Sequence, residues 1–319
     1  MAKIWRDEEL SLSPLRDKTI AVLGFGSQGR AQSLNLRDSG LSVVVGLREG
    51  SESFNQAKEC GLETAEIGEA CAMSDVLAVL IPERAQKEVF EKYLNPNAKQ
   101  NAHVIFAHGY NIVYEIVTPR EDLKISLVAP KGIGPRLRSF FEQGSGVPAL
   151  IASRNDDLEI AKAYAKALGC GRVAVIESSF REETETDLFG EQVVLCGGLV
   201  ELARSAFMTL VEAGYSPEAA YFECVYEIKL IADLIFEYGI AGMIEKISDT
   251  AQFGAMTQGK RIIDDHVKEE MKRLLKNIRS GDFAQTFTKE QENNLKNVFE
   301  WRESLKKELL EEVRRKLNL

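Results

Sequence analysis

Short apolar runs alternate with amphipathic segments over the first half of the chain. Between Lys18 and about Ile176 these runs predict strands of about four to seven residues, rich in Val, Ile and Ala. The runs are TIAVLG, LSVVVG, VLAVLIP, HVIFAHG, ISLVAP, VPALIA and RVAVIE. Such runs are typical of strands buried on both faces, and the segments between them are typical of covering helices. The pattern predicts a doubly wound α/β domain built on a parallel sheet.

The pattern changes after about Glu182, where strand-like runs stop and long segments of helical period begin. These segments are 185–213, 217–238 and 266–279, and a charged amphipathic stretch over 287–319 indicates one surface or subunit-contact helix. We therefore predict two domains: residues 1–180 carry the sheet, and residues 181–319 are all-helical. No linker rich in Pro, Gly or Ser separates them, so we expect the two domains to pack together.

Length, charge and cysteine content narrow the class of protein. A chain of 319 residues suits two domains, and a net charge of -9 argues against nucleic acid or an anionic membrane as the main partner. The five cysteines are scattered and form no CxxC pair, which fits a reducing compartment without thiolate zinc. No uncharged apolar run reaches the ~18 residues of a membrane span, and the N-terminus lacks signal-peptide character. We expect a cytoplasmic protein.

A glycine motif follows the first apolar run. Gly24, Gly26 and Gly29 form GxGxxG in the sequence GFGSQG, after the strand TIAVL and before a helical segment. Glycine is needed for the tight turn, for close approach of the backbone to a pyrophosphate and for packing of helix on strand. Helix N-terminal amides then face the anion. The order of strand, turn and helix predicts a Rossmann-like dinucleotide site, and the alternative is a glycine turn with no ligand.

The end of the second strand indicates which dinucleotide is bound. An NAD enzyme usually has a carboxylate there for the ribose 2'-hydroxyl, and this chain instead has Arg48, Ser51 and Ser53. Arginine can pair bidentately with a 2'-phosphate, and the two hydroxyls can donate to it, which favours NADP. The alternative is a solvated polar loop, because Glu49 and Glu52 offset part of the positive charge.

Two pairs of carboxylates recur at helical spacing in the second half. Asp187 and Glu191 form one pair, and Glu223 and Glu227 form the other. The faces they share are otherwise apolar: Val194, Gly198 and Leu202 for the first pair, and Leu230, Ile231 and Leu234 for the second. Like charges on an apolar face call for a cation, and oxygen ligands suit Mg2+ or Mn2+. Solvated acidic faces beside Lys229 or Arg204 remain the alternative.

Two further polar residues follow predicted strands, His108 in FAHGYN and Lys131 in VAPKG. The carboxyl ends of strands in an open parallel sheet are where ligands bind, so both residues are candidates to contact a substrate. A structural role is the alternative for either residue.

These motifs in order resemble a ketol-acid reductoisomerase (acetohydroxy acid isomeroreductase) of the short form, over about 18–287. The segments that carry the resemblance are GFGSQG, VVVGLREGSES, FAHGYNI, VAPKG, EETETDLFGEQVVLCGG, YFECVYEIKLI and ISDTAQFG. The resemblance implies an NADPH-dependent oxidoreductase with two Mg2+ ions. Such enzymes convert 2-acetolactate or 2-aceto-2-hydroxybutyrate into 2,3-dihydroxy acids for valine, isoleucine and leucine synthesis, with alkyl migration before hydride transfer.

The resemblance also assigns roles to residues. Asp187 and Glu191 would ligate magnesium, Asp187 bridging both ions, and Glu223 and Glu227 would serve the second ion directly or through water. Ser248 would hold the substrate, His108 and Lys131 would complete the polar wall, and Glu227 is a candidate proton acceptor through bound water. The implied cofactor contacts are Gly24, Gly26, Ser27, Gln28, Gly29, Arg48, Ser51, Ser53, Glu83 and Gly134.

In this family the helical domain is knotted and pairs with a second copy. The resemblance therefore implies a homodimer or larger homo-oligomer, in which Glu223, Glu227 and Ser248 come from the neighbouring subunit. A single chain would then hold no complete site.

Some positions depart from the usual family pattern. Arg30 stands where His is common, Glu83 where Asp is usual, and Ile133 and Pro135 replace Pro and His. We expect these changes to affect cofactor affinity and substrate preference. Two other functions remain open: a simple NADP-dependent reductase of a keto acid or imine, and a catalytically silent NADP-binding relative.

Overall fold

The computed structural model describes residues 2–319 and divides the chain into two compact units, Met1–Thr184 and Glu185–Leu319. The first unit contains nine strands among its described residues: β1 Ile4–Trp5, β2 Thr19–Leu23, β3 Ser42–Leu47, β4 Glu63–Glu66, β5 Val76–Val79, β6 His103–Phe106, β7 Lys124–Pro130, β8 Ala149–Ser153 and β9 Val175–Glu177. The helices between them are α1 Ser27–Asp38, α2 Glu52–Glu59, α3 Ile67–Met73, α4 Glu83–Val89, α5 Asn95–Asn97, α6 Tyr110–Val113, α7 Gly134–Glu142 and α8 Glu159–Ala167.

The strands form one sheet in the order β1-β9-β8-β7-β6-β5-β2-β3-β4. Neighbours from β7 to β4 run parallel, whereas β8 is antiparallel to β7 and β1 is antiparallel to β9. The doubly wound architecture is confirmed, but the expectation of a purely parallel sheet is wrong at these two pairings. The chain reverses direction between β7 and β8, and β8 and β9 extend the sheet beside β7. The residues at the ends of β5, β6 and β7 are unaffected by this reversal.

Side chains of alternate residues enter separate cores on the two faces of the sheet. In β2, Ile20 and Val22 pack with Tyr164 of α8 on one face, and Ala21 and Leu23 pack with Phe106 on the other. Each fully buried side chain of this size contributes roughly 1.5–3 kcal/mol. The apolar runs lack alternation because both faces of the sheet are buried.

The second unit is helical in its described residues. Its helices are α9 Phe180–Gly190, which begins within the first unit, α10 Gly198–Glu212, α11 Pro217–Tyr221, α12 Glu227–Lys246, α13 Asp249–Ile262, α14 Asp265–Ser280, α15 Asp282–Glu292, α16 Lys296–Leu305 and α17 Leu309–Lys316. The single tail helix expected over 287–319 is therefore wrong: three helices occupy it. Asn294 and Leu295 have φ of 56° and 59°, left-handed values that end α15 and redirect the chain.

Few side chains of the helical unit are buried. Its described residues include one buried cluster, of Phe207, Ala220, Tyr221 and Val313, and Leu188, Ile278 and Ala284 are also buried. Large apolar side chains of α10, α12 and α13 lie on the surface, including Leu202, Phe236 and Phe253. An apolar surface of this kind is typical of an interaction face.

The helical run Phe180–Glu212 is long and apolar enough to cross a membrane by length and composition, and only 11% of its most apolar stretch is buried. The same run carries the carboxylates of Asp187, Glu191 and Glu201, which are costly at the centre of a bilayer.

Candidate functional site

The turn after β2 leaves open space where a pyrophosphate would lie. Gly24 has φ of 105°, a value that favours glycine, and a Cβ on Gly29 would lie 2.2 Å from the carbonyl oxygen of Gly24. A Cβ on Gly26 would meet nothing within 4 Å. Two glycines of the motif thus serve the turn and the packing of α1 on it, while the third borders an empty space.

A cleft of about 530 Å³ adjoins this turn. It brings together eight of the predicted cofactor residues: Gly24, Gly26, Ser27, Gln28, Arg48, Ser51, Ser53 and Glu83. Ser51 occupies the N-cap position of α2, but its side chain makes no hydrogen bond to that helix. Its hydroxyl is buried with no hydrogen-bond partner among residues 2–319. An unpaired buried hydroxyl beside Arg48 fits an anionic group such as a 2'-phosphate.

The remaining two cofactor candidates, Gly29 and Gly134, are packing positions outside this cleft. Gly134 begins α7, and a Cβ there would lie 2.0 Å from the carbonyl oxygen of Ser27. Gln28 also crosses to this region, since its side-chain nitrogen donates to the carbonyl oxygen of Gly132 at 2.9 Å. The loop after β7 therefore holds the first turn of α1 in place.

A buried carboxylate that the sequence reasoning missed, Glu183, joins the two polar residues at the strand ends. Its side chain is 1% exposed and accepts hydrogen bonds from Lys131 Nζ at 2.9 Å and from the Gly109 amide at 2.9 Å. His108 Nδ1 lies 3.1 Å from the carboxylate oxygen Oε2. Because a carboxylate only accepts, His108 must carry its hydrogen on Nδ1. Three groups from the ends of β6 and β7 thus converge on one carboxylate.

The carboxylate of Glu183 is held in its charged form. Burial is the largest single influence and opposes ionisation, but the hydrogen bond and charge of His108, together with Lys131, outweigh it and lower the pKa of this carboxyl. The group is therefore a fixed negative charge that orients a ring and an ammonium group.

Close backbone packing supports this arrangement. A Cβ on Gly109 would lie 2.4 Å from Thr184 Oγ1 and 2.8 Å from the carbonyl oxygen of Phe180. Glycine at this position lets the start of α9 approach the end of β6 closely enough for Glu183 to reach the Gly109 amide. The missed residue had a sequence signal, because Glu183, Asp187 and Glu191 continue one spacing of four residues.

The carboxylate pairs of the helical unit lie beside π-helical turns. Glu191 begins the π segment Glu191–Leu195, and Glu223 lies in the π segment Phe222–Tyr226, after which Glu227 begins α12. Such turns occur frequently at functional sites. They also shift every following residue around the axis, so the expected stripe from Glu191 through Gly198 to Leu202 at a constant 100° per residue is wrong.

The structure does not bury the four carboxylates in an apolar interior. Asp187 is half-buried, and Glu191, Glu223 and Glu227 are exposed. Within the described part of the chain, Glu191, Glu223 and Glu227 belong to no group of three or more potential metal ligands. Glu223 and Glu227 have no side-chain hydrogen bond or ion pair to other described residues.

The remaining predicted residues lie at the surface. Ser248 is exposed, and its hydroxyl accepts a hydrogen bond from the Ala251 amide as the N-cap of α13. Of the positions that depart from the family pattern, Arg30, Ile133 and Pro135 are exposed around the α1–α7 packing. Glu83 lines the cleft beside the turn after β2.

Comparisons with known proteins cover nearly the whole chain. Residues 14–174 match the family model for the acetohydroxy acid isomeroreductase NADPH-binding domain, and residues 180–318 match that for the ketol-acid reductoisomerase C-terminal domain. The chain is 47% identical to a ketol-acid reductoisomerase (NADP(+)) of Methanopyrus kandleri, over 99% of the chain and 98% of the relative. It is 49% identical to one of Pyrobaculum calidifontis, over 98% of the chain and 97% of the relative.

A solved structure is also similar to the chain. It is an NADH-preferring ketol-acid reductoisomerase from an uncultured archean, with a TM-score of 0.96 and 42% identity over 99% of this chain and 98% of that one. The family models cover both units, and the relatives match over nearly their full length. The chain belongs to the ketol-acid reductoisomerase family.

Proposed function

We propose that this NADP-dependent ketol-acid reductoisomerase uses two Mg2+ ions held by Asp187, Glu191, Glu223 and Glu227. The donor set fits, because all four side chains are carboxylates and oxygen ligands are those that magnesium prefers. Magnesium, when bound, polarises the substrate ketone and stabilises the negative charge that develops during alkyl migration. Ser248 holds the substrate beside these residues, and Glu227 accepts a proton through water.

The polar wall of the site is the cluster of His108, Glu183 and Lys131, and this cluster is the observation that carries the proposal. Glu183 holds the Lys131 ammonium group and fixes the hydrogen of His108 on Nδ1. The ammonium group can hold a substrate oxygen. Both groups act without reorganising, because their common partner is buried and charged.

The cofactor lies in the cleft beside the turn after β2. Gly26 and Ser27 border the pyrophosphate, with Gly24, Gln28 and Gly29 shaping the turn. Arg48, Ser51 and Ser53 hold the 2'-phosphate, and the buried unpaired hydroxyl of Ser51 supports this assignment. Glu83 lines the same cleft, and Gly134 supports it from behind. Residues 1–180 are then the NADP-binding domain, and residues 181–319 serve metal, substrate and dimerisation.

The active site is shared between two copies of the chain, whose helical domains are knotted. The exposure of Glu223, Glu227 and Ser248, and the apolar surface of α10, α12 and α13, support this proposal. Under it, Glu223, Glu227 and Ser248 complete the site of the neighbouring subunit. The enzyme works in the cytoplasm, which the scattered free cysteines support.

We expect oxidation of NADPH with 2-acetolactate to require Mg2+, and to stop when the metal is removed with a chelator. The reaction is followed at the nicotinamide absorbance with and without added metal. A simple NADP-dependent reductase would turn over without metal, and a silent relative would bind NADPH without turnover. Either result would contradict the proposal.

Mixing Asp187→Asn with Glu223→Gln subunits tests the shared site. Neither variant alone is expected to be active, but half of a random mixture is heterodimer, and each heterodimer has one intact site. Activity should therefore recover to about a quarter of that of the wild type. Copurification of differently tagged subunits shows that exchange has occurred. No recovery in a sample with demonstrated exchange would refute sharing.

A further inference from the structure

Three side chains after β3 are assigned to the 2'-phosphate: Arg48 and Ser51 lie in the loop of residues 48–51, and Ser53 lies in the first turn of α2. Few bonds hold the backbone of this loop. Within it the Ser51 amide donates to the Arg48 carbonyl at 3.2 Å, and Gly50 turns the chain with φ of 70°. A Cβ on Gly50 would meet nothing within 4 Å, so no neighbouring atom packs against this point. The Ser51 carbonyl accepts from the Phe54 amide of α2 at 3.0 Å, so the part of the loop that calls for a further contact lies between Leu47 and Ser51.

A side chain of the neighbouring strand supplies that contact. Strands β3 and β4 pair in parallel as far as Leu47 and Glu66, where both end. The carboxylate oxygen Oε1 of Glu66 then accepts a hydrogen bond from the Glu49 amide at 2.7 Å. The side chain thus adds one bond beyond the end of the ladder.

The use of this carboxylate is specific to the loop. Glu66 is also the N-cap of α3, a position whose side chain commonly accepts from its own helix, but it makes no such bond. A hydrogen bond to an ionised group is stronger than one between neutral groups. Glu66 does not line the cleft, so it acts on a ligand only through the loop.

We propose that Glu66 is a positioning residue for cofactor selection: its bond to the Glu49 amide holds residues 48–51 in the conformation that receives the 2'-phosphate. Arg48 and Ser51, on either side of Glu49 in the sequence, line the cleft, and the buried hydroxyl of Ser51 makes no capping bond to α2. Without the anchor, binding of the phosphate must also order the loop, which weakens NADPH and leaves NADH nearly unchanged. This inference rests on the proposed role of Arg48, Ser51 and Ser53.

The test compares binding of 2',5'-ADP and 5'-AMP by calorimetry, because the two probes differ in the 2'-phosphate. For Glu66→Ala we expect the Kd of 2',5'-ADP to rise about fivefold or more, with that of 5'-AMP within about twofold. Glu66→Gln keeps an oxygen that can accept from the Glu49 amide and should restore most of the affinity. Glu63→Ala is the matched control, since Glu63 is exposed on the same strand. In kinetics, Glu66→Ala should raise the KM for NADPH and leave kcat and the KM for NADH nearly unchanged.

The possible outcomes distinguish the role of Glu66 from the existence of the 2'-phosphate site itself. If the wild type binds both probes equally, the 2'-phosphate site itself is wrong, and the inference falls with it. If the wild type prefers 2',5'-ADP and Glu66→Ala keeps the full preference, only the role of Glu66 is overturned. A Glu66→Gln variant as weak as Glu66→Ala would also overturn the hydrogen-bond anchor. Thermal unfolding of each variant verifies that it is folded.

Discussion

Replacing Glu183 by glutamine is expected to lower kcat about 100- to 1,000-fold while leaving NADPH binding nearly unchanged. The carboxylate accepts hydrogen bonds from Lys131, His108 and Gly109. The amide nitrogen of a glutamine can only donate, so at least one of these hydrogen bonds would be lost. His108 and Lys131 would then lose their fixed orientation. The cleft proposed for the cofactor is lined by none of these residues, so NADPH fluorescence titration should give an unchanged Kd.

The same change should lower the free energy of unfolding by about 2 kcal/mol, because hydrogen bonds to a buried charged group are lost. This difference is present at neutral pH and shrinks as acid protonates the wild-type carboxylate, since the folded protein lowers the pKa of Glu183. Glu182→Gln is the matched control, because its side chain is exposed on the same helix. A Glu183→Gln enzyme with kcat within about threefold of the wild type would exclude a role for the cluster in catalysis.

Replacing Gly134 by alanine is expected to lower the free energy of unfolding by about 3 kcal/mol and to weaken NADPH about tenfold or more. The added Cβ would lie 2.0 Å from the carbonyl oxygen and 2.4 Å from the carbonyl carbon of Ser27, so one of two helix ends must move. Ser27 begins α1, and its displacement disturbs the turn that faces the pyrophosphate. Chemical denaturation and fluorescence titration measure the two effects.

The variant Gly26→Ala distinguishes two effects in the same turn: a clash that destabilises the fold, and the filling of space that the ligand needs. Gly26 has φ of -74°, which alanine adopts without strain, and its Cβ would meet nothing within 4 Å. The variant should therefore keep its stability within about 0.5 kcal/mol and still lose NADPH affinity. A Gly134→Ala protein as stable as Gly26→Ala would show that the contact with Ser27 relaxes without cost.

The apolar pattern predicted the sheet because strands buried on both faces leave unbroken hydrophobic runs. The same criterion missed β1 and β4, which lie at the two edges of the sheet. In β4 only Ala65 is buried, so its sequence ETAE carries no apolar run. Strand direction was equally hidden, because VPALIA reads the same whether it pairs parallel or antiparallel with β7.

The site was predictable where one motif carries its own geometry and less so where separate segments meet. The turn at Gly24 follows from strand, glycine and helix in order. The role of Glu183 depends on the closeness of α9 to the end of β6, which Gly109 permits and no local pattern encodes. The π-helical turns at Glu191 and Phe222 escaped notice because a constant helical period was assumed.

The helical unit buries few of its own side chains, so we expect its stability to depend on protein concentration. Among the described residues few side chains of this unit are buried and many large apolar ones are exposed, so in the proposed dimer the second copy covers apolar area that the unit leaves open. Mass action then stabilises the covered form more strongly as concentration rises. We expect the thermal midpoint of this unit to fall on dilution, and newly made chains to be most vulnerable to proteolysis before they meet a second copy.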